Sequence, residues 1–188
     1  MKNGKLCCDR CDGEHETEQC PIFKKPRDDH PDATRRKPPE MGRPGGNFVL
    51  QNARVVRQPG DGSCLFHSMT YGLGTGSART LRRELAQWIE RNPETSIADT
   101  PVRDWVRWDS NRTVSQYARS IGVSGWGGGM EMAACARLKN VNVHVYESRS
   151  MLKGGGYKRI SCFDAPRGGR KTIHVLYQGG VHYDALVP

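Results

Sequence analysis

The stretch PGDGSCLFHS (59–68) contains the strongest structural signal in the chain. Its glycines and Asp61 indicate a tight turn, and the residues from Cys64 onward are typical of a helix. A cysteine at a helix N-terminus lies beside free N–H groups and a partial positive charge, and both favour the thiolate. We therefore predict that Cys64 is a nucleophile and that N–H groups of the turn form an oxyanion hole. The alternative, a small buried cysteine, fits Cys135 and Cys162 better, because both lie in periodic segments.

A thiol nucleophile needs a base, and VHYDALV (181–187) offers one. His182 and Asp184 stand two residues apart in a predicted strand, so they share one face of it. A carboxylate in that place can hold the imidazole in one tautomer and stabilise its cation. We expect His67, one helical turn past Cys64, to pack or to face solvent. Spacing alone leaves two explanations open: a triad of Cys64, His182 and Asp184, or unrelated core residues.

The rest of the chain from residue 47 onward mixes helical and strand patterns. FVLQNARVV (48–56) predicts a first strand, and Thr100 predicts a helix cap with Pro101 at the first helical position. Apolar residues at helical spacing predict further helices over 78–91, after Pro101, around 114–121 and around 132–138. Alternating residues predict strands over 141–147, 157–163, 172–178 and 181–187. Helices followed by a mostly antiparallel sheet favour an α+β fold with helices packed on the sheet.

Composition divides the 188 residues into three parts. Residues 1–22 are rich in cysteine, and residues 23–46 hold five prolines without apolar periodicity, which predicts a linker. Residues 47–188 form the predicted globular domain; they carry nineteen Lys and Arg against eleven Asp and Glu, a net charge of +8. A basic domain either binds nucleic acid or simply presents a solvated basic surface.

The same composition bears on the compartment. No run of residues reaches the ~18–20 apolar positions of a membrane span, so we expect no membrane partner. The N-terminus lacks the apolar region of a secretory signal. Seven cysteines, an odd number, then favour metal or catalytic thiols in a reducing cytoplasmic or nuclear compartment over a disulfide scaffold.

Four of those cysteines lie in the first twenty residues, where Cys8, Cys11, His15 and Cys20 have the spacing of metal ligands. Three thiolates and one imidazole complete a tetrahedral zinc shell, and a segment this short folds only around metal. The segment resembles a CCHC zinc knuckle with one residue fewer before the histidine. The alternative is a disordered tail. Zinc knuckles bind single-stranded nucleic acid, but the acidic side chains here also suit a protein partner.

Three blocks of the globular part resemble the ovarian tumour (OTU) family of deubiquitinating cysteine proteases. They are PGDGSCLFHS (59–68), Trp126-Gly127-Gly128 followed by Glu131, and HVLYQGGVHYDALVP (174–188). The blocks occur in the family's order. The resemblance implies a papain-like fold and a thiol protease that cleaves isopeptide bonds at the C-terminal glycine of ubiquitin, with no cofactor in catalysis.

Carried onto this sequence, the resemblance implies Cys64 as nucleophile, His182 as general base and then acid, and Asp184 as orienting acid. Asp61 matches an acidic residue that is often counted as catalytic in the family; we expect its loop to act through backbone N–H groups instead. Trp126, Gly127 and Gly128 either line a cleft for a Gly-Gly tail or place a tryptophan in the core. The alternative function is a zinc-knuckle binding protein whose protease domain has another substrate, such as a polyprotein.

Overall fold

The computed structural model of the chain describes residues 48–150 and 155–188. The predicted knuckle and linker, with Cys8, Cys11, His15 and Cys20, therefore lie outside the described residues. Within the described part, no helix has the length and apolar character that crossing a membrane requires.

The five helices of the described part come before its four long strands, as predicted. The helices are α1 Cys64–Leu73, α2 Ala78–Arg91, α3 Val102–Ser110, α4 Val114–Ile121 and α5 Gly129–Lys139. The strands are β1 Val49–Leu50, β2 Arg54–Val56, β3 Ser96–Ile97, β4 Thr100–Pro101, β5 Asn142–Ser148, β6 Tyr157–Phe163, β7 Thr172–Gln178 and β8 His182–Val187. The predicted start of a helix at Cys64 is confirmed.

Six strands form the main sheet in the order β1-β6-β5-β7-β8-β2, and β3 pairs with β4 separately. Every neighbouring pair of the main sheet is antiparallel except β5 with β7. Helices pack on this sheet, with α1 lying against β7 and β8. The predicted α+β class is confirmed.

The predicted single strand over 48–56 is wrong, because β1 pairs with β6 at one edge of the sheet and β2 pairs with β8 at the other. Four residue steps from Leu50 to Arg54 reach at most about 14 Å. Five strand spacings in a flat sheet measure about 24 Å. The sheet must therefore curl until its two edges lie within reach of this short connection.

The predicted cap of α3 is also wrong in detail. Thr100 and Pro101 form β4, which pairs with β3, so Pro101 occupies the cap position and Val102 begins the helix. The helix predicted after Pro101 is present, and its residues Val102 and Val106 are fully buried.

The main core lies between the helices and one face of the sheet, and it positions the N-terminus of α1. Leu65, Phe66 and Met69 of α1 are fully buried beside Ile173 and Val175 of β7. Burial of a side chain such as Phe66 contributes about 1.5–3 kcal/mol. A smaller apolar cluster lies on the opposite face of the sheet; its buried members are Tyr146, Leu176 and Leu186. The core thus holds the first turn of α1 next to β8.

Candidate active site

A cleft of about 200 Å³ opens at the N-terminus of α1, where the Cys64 side chain is partly exposed. We call it the thiol cleft. Its lining residues come from three segments that are distant in sequence: Gly62 and Cys64, Trp126 and Gly127, and Tyr177, Gly180, Val181 and Tyr183. His182 stands between two of these lining residues, Val181 and Tyr183. The structure therefore brings all three blocks of the sequence to one place.

The turn that precedes Cys64, residues 59–63, is held in a conformation that suits glycine. Gly62 has φ +79°, in the left-handed region. The N–H group of Ser63 donates to Asp61 Oδ1 at 2.9 Å, so it is not free for an oxyanion. The first-turn N–H groups of α1, including that of Cys64, have no acceptor within the helix. The N–H of Cys64 is therefore the best-placed oxyanion donor, and Gly62 lines the same cleft.

His182 and Asp184 lie on one face of β8 and are hydrogen-bonded, with 3.0 Å between His182 Nε2 and Asp184 Oδ1. The Asp184 side chain is only 5% exposed. It also accepts from the backbone N–H of Gln58 and from Gln178 Nε2, both at 2.7 Å. Three donors from three segments thus fix the carboxylate, and the carboxylate fixes the imidazole. Because Nε2 faces Asp184, Nδ1 is the ring nitrogen left to exchange a proton with a thiol.

Asp61 and His67 form a second carboxylate–imidazole pair, with 3.0 Å between Oδ2 and Nε2. His67 faces solvent in part, as expected, with 29% of its side chain exposed, and it also pairs with Asp61. The hydrogen bonds from His67 and from the Ser63 N–H hold the pKa of Asp61 below its ordinary value. Asp61 is not among the residues that line the thiol cleft, and its side chain is 53% exposed. Its hydrogen bonds join the turn residue Ser63 to His67 of α1.

Trp126 stands at the lip of the thiol cleft with 70% of its surface exposed. A tryptophan buried in the core is therefore excluded. Gly127 beside it packs directly on the first turn of α1, since a Cβ there would lie 2.9 Å from the Phe66 ring. The Gly128 N–H donates to the buried carboxylate of Glu131 at 2.7 Å. The loop over residues 122–128, the Trp126 loop, is thus held in place although its tryptophan is exposed.

Sequence reasoning assigned no role to three residues near the thiol cleft: Arg82, Gln178 and Glu131, which was named only as part of the Trp126 block. Arg82 and Glu131 are buried charged residues, and their sequence signal is a charge on the apolar face of α2 or α5. Burial raises the pKa of Glu131, whose second oxygen accepts from Tyr117 Oη at 2.7 Å. Gln178 has no signal of its own, because it reaches Asp184 only through its pairing opposite His182.

The two other cysteines among the described residues differ in exposure to solvent. Cys135 is fully buried, and burial raises the pKa of its thiol to about 12, as expected of a core cysteine. Cys162 is exposed on β6, so the expectation of a buried thiol is wrong there. Partial burial and Asp164 raise the pKa of Cys162, which disfavours its thiolate. Residues 48–150 and 155–188 contain no group of three or more metal-ligating side chains placed to hold an ion.

A family profile and two curated relatives match this chain. The family profile described as OTU-like cysteine protease matches residues 59–184. The OVARIAN TUMOR DOMAIN-containing deubiquitinating enzyme 4 of Arabidopsis thaliana is 30% identical over 150 residues, covering 76% of this chain and 45% of that protein. Ubiquitin thioesterase OTU1 of Saccharomyces cerevisiae is 25% identical over 130 residues, covering 67% of this chain and 36% of that protein. The chain spans less than half the length of these curated relatives.

Among solved structures, the Hazara virus OTU bound to ubiquitin is similar to this chain with a TM-score of 0.55. The match has 24% identity and covers 71% of this chain and 80% of that one. A likeness at this identity supports a shared fold. Since the family profile spans most of the chain and includes Cys64, His182 and Asp184, the chain belongs to the OTU family of cysteine proteases.

Proposed function

We propose that the protein is a deubiquitinase, a thiol protease that hydrolyses isopeptide bonds at the C-terminal glycine of ubiquitin. The observation that carries the proposal is the pair of partly exposed His182 and buried Asp184, next to the residues Val181 and Tyr183 that line the same cleft as Cys64. The substrate class is supported by relatives whose names describe a deubiquitinating enzyme and a ubiquitin thioesterase, and by a similar fold bound to ubiquitin.

In this proposal His182 Nδ1 takes the thiol proton, and the Cys64 thiolate attacks the carbonyl carbon of the terminal glycine. The negative charge that develops on the carbonyl oxygen is stabilised by the N–H of Cys64 and by the N-terminal end of α1. The protonated His182 then gives its proton to the leaving amine. Water, activated by His182, finally hydrolyses the thioester and releases the ubiquitin carboxylate. Asp184 stays ionised and keeps Nε2 protonated throughout.

The shape of the thiol cleft suits a substrate tail without side chains. Its volume is about 200 Å³, and its lining residues include the aromatic Trp126, Tyr177 and Tyr183. A small cleft lined by aromatic residues suits an extended glycine pair better than bulky side chains. We therefore propose that Trp126, Gly127 and Gly128 contribute to substrate binding at the Gly-Gly tail.

The test is covalent labelling of the full chain with ubiquitin that carries a C-terminal electrophile. We expect one adduct at Cys64, located by mass spectrometry, and none in Cys64→Ala. Cys162→Ala is the matched control, because it removes an exposed thiol outside the thiol cleft; this variant should label like the original chain. No adduct at Cys64 would overturn the proposal, and reaction of Cys64 only with non-ubiquitin peptide electrophiles would favour a protease for another substrate.

We also propose that Cys8, Cys11, His15 and Cys20 hold one structural zinc ion. Three thiolates and an imidazole match the donor set of structural zinc sites. Zinc there supplies folding free energy to its own segment and takes no part in the hydrolysis. Metal analysis should find one zinc per full chain and its loss in Cys8→Ser combined with Cys11→Ser. Deletion of residues 1–46 should leave melting temperature and turnover of a monoubiquitin reporter nearly unchanged; a large drop in either contradicts a separate knuckle.

The partner of the knuckle follows from its charge. Acidic side chains favour a protein partner, such as a scaffold or a ubiquitin chain, while the basic residues of 23–46 offer contacts to phosphates. The phosphate contacts can be tested with single-stranded RNA and a variant in which the basic residues of 23–46 are neutralised. An RNA affinity equal to that of the original full chain would contradict this role of the linker. The odd number of cysteines fits a reducing compartment, so we propose a cytoplasmic or nuclear location.

A further inference from the structure

Arg82 of α2 is a buried cation close to the thiol cleft, and the mechanism does not use it. Only 4% of its surface is exposed. Its guanidinium lies over the Phe66 ring, 4.0 Å from the centroid. Buried arginine is unfavourable unless its donors are paired, so the partners of this side chain decide what it does.

The first set of partners is in the turn over 59–63. Arg82 Nη2 donates to the carbonyl oxygen of Gly62 at 2.9 Å and to Ser63 Oγ at 3.1 Å. The N–H of the same Gly62–Ser63 peptide donates to Asp61. This peptide plane is therefore held from both sides, and its orientation sets that of the following residue, Cys64.

The second set of partners leads to the opposite wall of the thiol cleft. Arg82 Nη1 donates to the carbonyl oxygens of Ile121 at 2.9 Å and Gly125 at 3.0 Å. Gly125 immediately precedes Trp126 and has φ +98°. The two guanidinium nitrogens thus bind two loops that are about 60 residues apart in sequence, as the difference between Gly62 and Gly125 shows.

We propose that Arg82 is a positioning residue that sets the register between the turn before Cys64 and the Trp126 loop, and so the width of the thiol cleft. The inference rests on the proposed function. Its physical basis is geometric: the planar fork of arginine can hold two loops at once, whereas the single ammonium of lysine cannot. Displacing reacting groups by about 1 Å reduces turnover on the order of 100-fold.

The variant that tests this is Arg82→Lys, because it keeps the positive charge near Cys64 and removes the fork. At a temperature where circular dichroism shows it folded, we expect kcat on a monoubiquitin reporter to fall about 10- to 100-fold. Alkylation of Cys64 by iodoacetamide, followed at that residue by mass spectrometry, should stay within about twofold, since a small reagent does not need the cleft walls in register. Arg83→Lys is the matched control; Arg83 is the exposed neighbour on α2 and should leave kcat unchanged.

Hydrogen exchange supplies a readout that is independent of substrate. In Arg82→Lys the amides over 60–66 and over 121–128 should exchange faster together, and in Arg83→Lys neither should change. If Arg82→Lys fails to fold, Gly125→Ala loosens only the second wall, because alanine is strained at this positive φ. It should lower kcat several-fold while 60–66 keeps its protection.

The outcomes separate the inference from the proposed function. Absence of turnover in the original chain overturns the deubiquitinase proposal, and exchange still decides whether Arg82 links the loops. Normal turnover in a folded Arg82→Lys, or exchange that rises in one loop alone, overturns the inference while the proposed function stands.

Discussion

Two carboxylate–imidazole pairs flank the N-terminus of α1 with the same 3.0 Å separation, yet their surroundings differ. Asp184 of the His182 pair is buried and accepts from Gln58 and Gln178 as well. Asp61 of the His67 pair is exposed and accepts otherwise from its own turn. A buried carboxylate held by distant segments fixes a histidine in one orientation, whereas an exposed local pair is screened by water. Hydrogen-bond distance therefore does not distinguish the two pairs, but burial and the origin of the donors do.

The largest expected difference between the pairs is at the histidines. His182→Ala removes the group that transfers the proton, so we expect kcat/KM on a ubiquitin reporter to fall about 10²- to 10⁴-fold. His67→Ala removes only a support of Asp61, which keeps the Ser63 N–H, and should stay within about threefold. Steady-state kinetics at neutral pH measures both. Equal losses of kcat/KM in the two variants would contradict different roles for His182 and His67.

The carboxylates give the next contrast. Asp184→Asn places an amide against three donors and favours the wrong imidazole tautomer, so a loss of about 10²- to 10⁴-fold in kcat is expected. In Asp61→Asn the remaining side-chain oxygen still accepts from the Ser63 N–H, so kcat should fall by less than about tenfold. Melting curves of both variants separate catalysis from unfolding. A larger loss at Asp61 would show that the turn, and not β8, provides the essential acid.

A smaller effect should come from the support of Asp184. Gln178→Leu removes one donor to Oδ2, and a hydrogen bond worth about 1 kcal/mol corresponds to a loss of roughly 3- to 10-fold in kcat. Gln58→Ala is the matched control, because the bond from Gln58 to Asp184 comes from the backbone and survives the change. If both variants behave alike, the side chain of Gln178 does not orient the acid.

The smallest predicted effect is a change in the pKa of Asp61. The pKa of Asp61 lies below its ordinary 3.8 in the folded protein, chiefly because His67 donates to it. The pair therefore stabilises the fold above the unfolded pKa, and this contribution disappears as the pH falls through the lowered folded value. Carboxyl NMR titration should show the pKa of Asp61 moving up toward 3.8 in His67→Ala. An unchanged pKa would mean that the pair is not formed in solution.

The sequence predicted those parts of the molecule that depend on local periodicity. α2, α4 and α5 follow from apolar spacing, and the proximity of His182 and Asp184 follows from their two-residue separation in a strand. The break between β1 and β2 could not be predicted, because both halves of 48–56 are apolar and only their partners, β6 and β8, differ.

The partners of Arg82 were unpredictable for a different reason. Four acceptors bind its guanidinium, and three of them are backbone carbonyls of Gly62, Ile121 and Gly125. Every residue has a backbone carbonyl, so no sequence pattern shows which of them will accept a hydrogen bond. The pairing of Asp61 with His67 likewise crosses from a turn into a helix, where neither a period of 2 nor one of 3.6 applies.

The pairing of β2 with β8 also constrains the order in which the site can form. The Gln58 N–H reaches Asp184 across a sequence separation of 126 residues, and the neighbouring ladder joins Arg54 to Val187. Closing so long a segment is slow relative to forming local helices. During synthesis α1 and its cysteine emerge from the ribosome long before β8 does. The His182–Asp184 pair therefore cannot form before β8 has emerged, and a nascent chain that stops short of β8 carries the thiol without its base.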